Sequence, residues 1–216
     1  MMEWDEHRSD AARLRDMAWH LGDLSKLIKD NSIGIEIGVW KAWSTRIWLE
    51  HTKCKFIYAC DAWSTSVYKE TEGTESPEYE NYEKYKTRYN RMVKTGKDED
   101  FEKHYDEVYF QVMQKLIPYS ERIQIYRMSS KRFWNIWIES GKSPVDWAYI
   151  DGSHSYEPCL YDLESARKAV KKGGIIMGDD YNNYKSGVVK AVDEFCNKYG
   201  YERKRVNSEW RWYIQL

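Results

Sequence analysis

The sequence lacks a charge surplus, a long apolar run and any cysteine pattern, and each absence removes a class of protein. Its 34 basic residues are balanced by 35 acidic ones, for a formal charge of -1. No global field therefore draws the chain to nucleic acid or to an anionic membrane, and neither is expected as a partner. No apolar run approaches the roughly 18 residues that span a bilayer. The opening MMEWDEHRSDAARL lacks the basic-then-apolar order of a secretion signal. Cys54, Cys60, Cys159 and Cys196 are scattered without a CxxC or a zinc-like spacing and read as reduced thiols. A cytoplasmic protein is the expectation. Phenylalanine is scarce, at 5 against 11 tryptophans and 18 tyrosines, so indole and phenol rings carry most of the aromatic burial.

What is present is alternation. The 216 residues suit one domain, 1–216. Within 1–31, Leu14, Met17, Ala18, Leu21, Leu24, Leu27 and Ile28 recur at helical spacing behind a Ser9 or Asp10 cap. SIGIEIG reads as a strand, STRIWLEHT as a helix capped by Ser44 or Thr45, and KFIYACD as a second strand. From 64 to 120 the texture turns to Tyr, Lys and Glu, too long for a bare loop. It reads as a helical insertion or lid, its better-packed helix facing the core through Phe101, Tyr105, Val108, Val112, Leu116 and Ile117. Strand and helix then alternate through RIQIYRM, SKRFWNIWIES, VDWAYID, SYEPCLYDLESARKAVKK, GGIIMGD and SGVVKAVDEFCNKY. GYERKRV and WRWYIQL close the chain as a hairpin. The fold class that follows is α/β: a Rossmann-like, doubly wound, mostly parallel seven-stranded sheet with a C-terminal antiparallel hairpin.

An open parallel sheet binds ligands beyond the carboxyl ends of its strands. The residues standing there are Glu36 and Gly38, then Asp61, then Met128, Ser129 and Ser130, then Asp151, and finally Asp179 and Asp180. Four of these five ends carry a carboxylate, more than a solvated rim needs. The turn EIGVWKAWST places Trp40 and Ala42 where a dinucleotide fingerprint wants glycine. Asp61 stands just over twenty residues past Gly38, the place for an acid that chelates ribose hydroxyls. Adjacent acids such as Asp179 and Asp180 raise each other's cost of ionising unless something positive is held between them.

The run VDWAYIDGSHSYEPCLYDLESARKAVKKGGIIMGDDY, with GVVKAVDEF after it, resembles class I methyltransferases that use S-adenosylmethionine (SAM). In particular it resembles the branch related to sugar and antibiotic O-methyltransferases, of the methyltransferase domain 24 type. EIGVWKAWST, YACDAW and YRMSS resemble that branch's first three motifs, with Ala42 where the family usually has glycine. The resemblance covers residues 32–62 and 122–216. It implies that Glu36, Gly38, Ser44 and the backbone of Trp40 to Ala42 hold the methionine part of SAM. Asp61 would take the ribose, Met128 with Ser129 or Ser130 would flank the adenine, and Asp151 would close the cofactor site. Ser129 and Ser130 serve equally as caps of the helix that follows them.

It further implies a divalent cation, Mg²⁺ or similar, on Asp151, Asp179 and Asp180, an oxygen-rich set that suits such ions. The alternative is that Asp179 or Asp180 caps a helix or binds SAM directly. His154, three residues after Asp151, is a candidate to take the acceptor's proton, and Asp151 and His154 are the catalytic candidates. The expected activity is methyl transfer to a hydroxyl of a small molecule or sugar, with a homo-oligomer left open. A nicotinamide-dependent oxidoreductase and a non-catalytic SAM-binding protein are the competing readings.

Overall fold

The computed structural model describes residues 9–64, 98–182, 186–206 and 210–216. Residues 65–97 of the insertion lie outside that set. The elements are α1 (Asp10–Ser25), β1 (Ile33–Ile37), α2 (Trp43–His51), β2 (Phe56–Asp61), α3 (Asp98–Leu116), β3 (Ile123–Arg127), α4 (Ser130–Glu139), β4 (Val145–Ile150), α5 (Tyr156–Ala169), β5 (Val170–Gly178), α6 (Ser186–Tyr199), β6 (Arg203–Arg205) and β7 (Trp212–Gln215). The sheet order is β3-β2-β1-β4-β5-β7-β6. The first five strands are parallel, and β7 runs antiparallel to both its neighbours. The C-terminal hairpin therefore enters in reverse, β6 taking the edge and β7 filling the slot beside β5.

Helices cover both faces, as the alternation requires. On one, α4, α5 and α6 bury Phe133, Trp134, Leu163, Ala166, Val192 and Phe195 against Ile35, Ile37, Ala148, Ile150 and Ile176. On the other, α1, α2 and α3 bury Leu21, Leu24, Ile47, Trp48, Val108 and Val112 against Ile57, Ala59, Trp147, Tyr149 and Met177. The predicted face of α3 is buried at Phe101, Val108, Val112 and Leu116, but Ile117 is 67% exposed. The α-helix ends at Leu116, and a 3₁₀ turn over Ile117–Tyr119, with Pro118 inside it, swings Ile117 off the stripe.

The tryptophans explain some of the buried acids. Trp48, Trp134 and Trp212 are fully buried, and each indole N–H donates: to Glu36 Oε1 at 3.2 Å, Asp162 Oδ1 at 3.0 Å and the Asp179 carbonyl at 3.2 Å. A buried indole left without such an acceptor would cost roughly 1–3 kcal/mol. Among the described residues no helix is long and apolar enough to cross a membrane.

Candidate active site

The turn after β1 is shaped by close approach. Gly38 has φ 91°, and a Cβ there would stand 1.9 Å from the Asp151 carbonyl oxygen, so only glycine fits. Val39 and Trp40 donate their backbone N–H groups to Asp61 Oδ2 at 2.9 and 2.8 Å, and Trp63 donates to Oδ1 at 3.1 Å. The Trp63 indole reaches back to the Trp40 carbonyl at 2.9 Å. Trp40, Ala42 and Trp63 all adopt positive φ, at 47°, 62° and 40°. From α3, Tyr105 packs its ring 5.8 Å from Trp40 and Tyr109 packs 5.1 Å from Trp63. Trp43 turns away, donating to Asp10 of α1 at 2.9 Å.

Helix α2 starts differently from its expected cap. Ala42 occupies the N-cap, Trp43 is the first helical residue, and Ser44 and Thr45 are buried in the first turn. The Ser44 hydroxyl is drawn inward because Glu36 Oε1, 2.6 Å away, accepts its proton. Glu36 is wholly buried and its Oε2 has no hydrogen-bond partner. Burial pushes its carboxyl up to about 7, against the pull of Ser44, Thr45 and Trp48. Burial also raises the Asp61 carboxyl, opposed by the backbone N–H groups that hold it.

On the far side, β4 ends at Asp151 and β5 at Asp179 and Asp180. The two neighbouring acids are turned apart. Asp179 Oδ2 faces Arg211 Nη2 at 2.8 Å, both side chains nearly buried. Asp180, held at φ 60° with its N–H on Asp179 Oδ1 at 2.7 Å, sends Oδ2 to His154 Nε2 at 2.7 Å. Asp179 is thus paired with an arginine of the chain, and Asp180 with an imidazole that is charged only when protonated. His154 Nε2 is also 3.9 Å from Asp151 Oδ1. Burial pushes the Asp151 carboxyl up to about 6 despite that histidine.

The residues brought together are Asp151, His154 and Asp180, whose ligand atoms lie within 4.8 Å of one another. The expected trio of Asp151, Asp179 and Asp180 is not the one that converges: His154 stands where Asp179 was expected, because Arg211 holds Asp179. Ser129 caps α4, its hydroxyl accepting from Arg132 at 3.3 Å, and Met128 packs partly buried on the α4 side. Tyr156 and Tyr181 point their hydroxyls at Glu194 and Asp193 of α6.

Three residues escaped the sequence reading. Arg211 lies in the strand-like run WRWYIQL, where pairing of Gly178 with Trp212 sets it beside Asp179. Asp162 of α5 looks like any polar helix residue, yet it is wholly buried. His20 of α1 has its titration lowered by burial first and then by Arg211, with Asp179 acting the other way, which puts the N-terminal helix at this rim.

A model of the methyltransferase domain family matches residues 35–181, about two thirds of the chain and the whole run from β1 to the paired acids. The chain belongs to that family. Among curated proteins, an uncharacterized protein of Acanthamoeba polyphaga mimivirus is 44% identical over 41 residues, which is 19% of this chain and 19% of that protein. The fold is shared with calicheamicin methyltransferase, at TM-score 0.55 and 15% identity, covering 97% of this chain and 80% of that one. It is shared too with an rRNA methylase from Streptococcus thermophilus, at TM-score 0.53 and 11% identity over 92% and 95%. A methyltransferase-fold protein from Streptococcus mutans, solved with S-adenosylhomocysteine, gives 0.55 and 12% over 92% and 96%. SAM is the methyl donor that this family and fold imply. The residues of this methyltransferase fit it: a glycine turn, an acid at the end of β2, and a buried carboxylate oxygen at Asp162 without a partner.

Proposed function

We propose that the protein moves the methyl group of SAM onto a hydroxyl oxygen of a small molecule or sugar, with the acceptor held against Asp151, His154 and Asp180. The observation that carries this reading is the convergence of those three side chains within 4.8 Å at strand ends where an α/β sheet takes its ligands. SAM supplies an electrophilic methyl on a sulfonium, so the chain has to orient the acceptor and make its oxygen nucleophilic. Asp61 accepts three backbone N–H groups. A carboxylate offers about four acceptor positions, which leaves one for a ribose hydroxyl. Glu36 acts from beneath, fixing the first turn of α2 through Ser44 and Trp48. The near balance of charge supports a small acceptor over a nucleic acid.

Two carboxylates and an imidazole also form a donor set for a divalent cation. Bound there, the ion would lower the pKa of an acceptor hydroxyl. The imidazole shifts the preference from Mg²⁺ toward a first-row transition ion. Asp179, already neutralised by Arg211, is left to stiffen the rim.

A second reading rests on the 2.7 Å contact between His154 and Asp180. There the carboxylate orients the ring and stabilises the imidazolium formed as His154 takes the hydroxyl's proton. The test is methyl transfer to hydroxylated small molecules and sugars before and after EDTA, with Mg²⁺, Mn²⁺ or Zn²⁺ added back. Loss and recovery supports the ion. Full activity after chelation leaves His154 as the base, and SAM binding without transfer to any oxygen acceptor removes the hydroxyl assignment.

A further inference from the structure

The run that matches the family ends at residue 181, yet both partners of the His154–Asp180 contact are held by residues that come after it. His154 stands in the loop between β4 and α5, and the first turn of α6 lies directly on that loop. A Cβ at Gly187, the second residue of α6, would stand 2.4 Å from the His154 carbonyl oxygen, 2.8 Å from the Tyr156 nitrogen and 3.0 Å from the Ser155 carbonyl carbon. Only glycine lets the helix come so close. Ser155, buried at the N-cap of α5, ties down the other side of the same loop. Across the contact, Asp180 is held at φ 60°, a conformation that an L-residue keeps where its surroundings fix it. The C-terminal hairpin does the fixing. The Trp212 indole donates to the Asp179 carbonyl at 3.2 Å and the Trp210 carbonyl accepts the Tyr181 N–H at 2.9 Å, so the backbone is pinned on both sides of Asp180. Between these two tryptophans, Arg211 holds Asp179 Oδ2 at 2.8 Å, while Asp179 Oδ1 takes the Asp180 N–H at 2.7 Å.

We propose that Gly187, Arg211 and Asp179 are positioning residues that press His154 and Asp180 together, so that their 2.7 Å contact is set by the fold before any acceptor or ion arrives. Arg211 acts through Asp179 and the backbone of Asp180. Gly187 acts by having no side chain, which lets α6 lie against the loop that carries the imidazole. The inference rests on the reading of His154 and Asp180 as acceptor-side groups, and it serves an ion and a general base alike, since both need the ring and the carboxylate in fixed register.

The experiment is carbethoxylation of the full chain by diethyl pyrocarbonate, with the rate at each histidine read by peptide mass mapping. The reagent attacks a neutral imidazole nitrogen, so a ring held on a carboxylate is shielded. Asp180→Asn sets the rate of a released His154, expected about tenfold above wild type, the worth of one charge-assisted hydrogen bond. Gly187→Ala should approach that rate, even though alanine by itself favours a helix over glycine. The double variant Asp179→Ala/Arg211→Met should do the same, and because it removes one charge of each sign it leaves no orphaned ion behind. In both, exposed His51 and half-buried His104 should react as in wild type, which a loosened fold would not allow. A His154 that stays as slow as wild type in either folded variant, or that speeds up only in step with His104, overturns the proposal. Gly187→Ala decides alone if the double variant does not fold. Wild-type His154 already reacting at the Asp180→Asn rate overturns it as well. A chain that transfers no methyl group to oxygen overturns the proposed function and not this inference, because the reagent needs neither donor nor acceptor.

Discussion

The two halves of the strand-end rim use the same residue type in opposite ways. At the ends of β1 and β2, Glu36 and Asp61 accept from a serine, an indole and three backbone N–H groups, and no cation pairs with either among the described residues. At the end of β5, Asp179 is paired with Arg211 and Asp180 with the His154 imidazole from the loop after β4. Hydrogen bonds from the backbone fix a loop's path, so on the proposed function the first half would be scaffold for the nucleoside of SAM. Charge pairs that keep some solvent exposure, like the 22% of both Asp180 and His154, can exchange partners with a substrate or an ion. A carboxylate at a strand end is therefore an ambiguous sign, and its partner decides whether it shapes the cleft or reacts in it.

The largest expected effects separate the halves by function. His154→Ala and Asp180→Asn should each lower methyl transfer by about 10²- to 10⁴-fold, the usual contribution of a positioned acid or base. Affinity for S-adenosylhomocysteine should stay within about threefold, since the proposed nucleoside contacts are on the other half. Parallel losses of affinity and turnover would merge the two halves into one binding surface. Asp61→Ala should do the converse. It removes a ribose acceptor and the partner of three backbone N–H groups, weakening S-adenosylhomocysteine by about 1.5–3 kcal/mol and folding by about 1–3 kcal/mol. Calorimetry and chemical denaturation read the two numbers, and unchanged affinity would sink the ribose assignment.

A smaller effect comes through pH. The Glu36 carboxyl is raised from its ordinary 4.5 to about 7 by burial. In that interval the native state binds more protons than the unfolded chain, so this group's contribution to stability is fully present below 4.5 and is lost as pH rises through about 7. Glu36→Gln imitates the protonated acid and keeps an oxygen for Ser44 and Trp48. It should match wild type near pH 5 and exceed it near pH 8 by about 1–2 kcal/mol, a discounted share of the linkage. Denaturant midpoints at the two pH values check this, and parallel curves would show that Glu36 stays ionised in the fold.

The fold was legible because it is written in period and order. Alternating apolar runs such as KFIYACD and RIQIYRM announce strands wherever they stand, and their ends name the rim. Partners across the rim were not legible, because they depend on register and on packing angle. Arg211 reaches Asp179 only because β7 slots antiparallel beside β5, and nothing within WRWYIQL says which acid it faces. His154 displaced Asp179 from the convergent trio for the same reason. The start of α2 was misplaced because Ser44 and Thr45 are good caps in isolation, while a buried Glu36 eight residues earlier claims the Ser44 hydroxyl.

The smallest effect tests whether the scaffold half stores strain. Ala42 stands where the resembling family usually has glycine, and here it adopts φ 62°, ψ 30°. The left-handed conformation costs an L-residue roughly 1–2 kcal/mol. Against that, Ala42 is fully buried, and losing its methyl forfeits about 0.8 kcal/mol of burial. Ala42→Gly should therefore stabilise the protein modestly, by about 0.2–1.2 kcal/mol, the difference of those two terms. Ala42→Val, with a branched side chain in the same conformation and no space for it, should destabilise by more than 1–2 kcal/mol. Thermal melts of the pair decide the point. If glycine costs about 1 kcal/mol or more, the methyl's packing outweighs the backbone term, and the turn after β1 is held by its contents rather than strained by them.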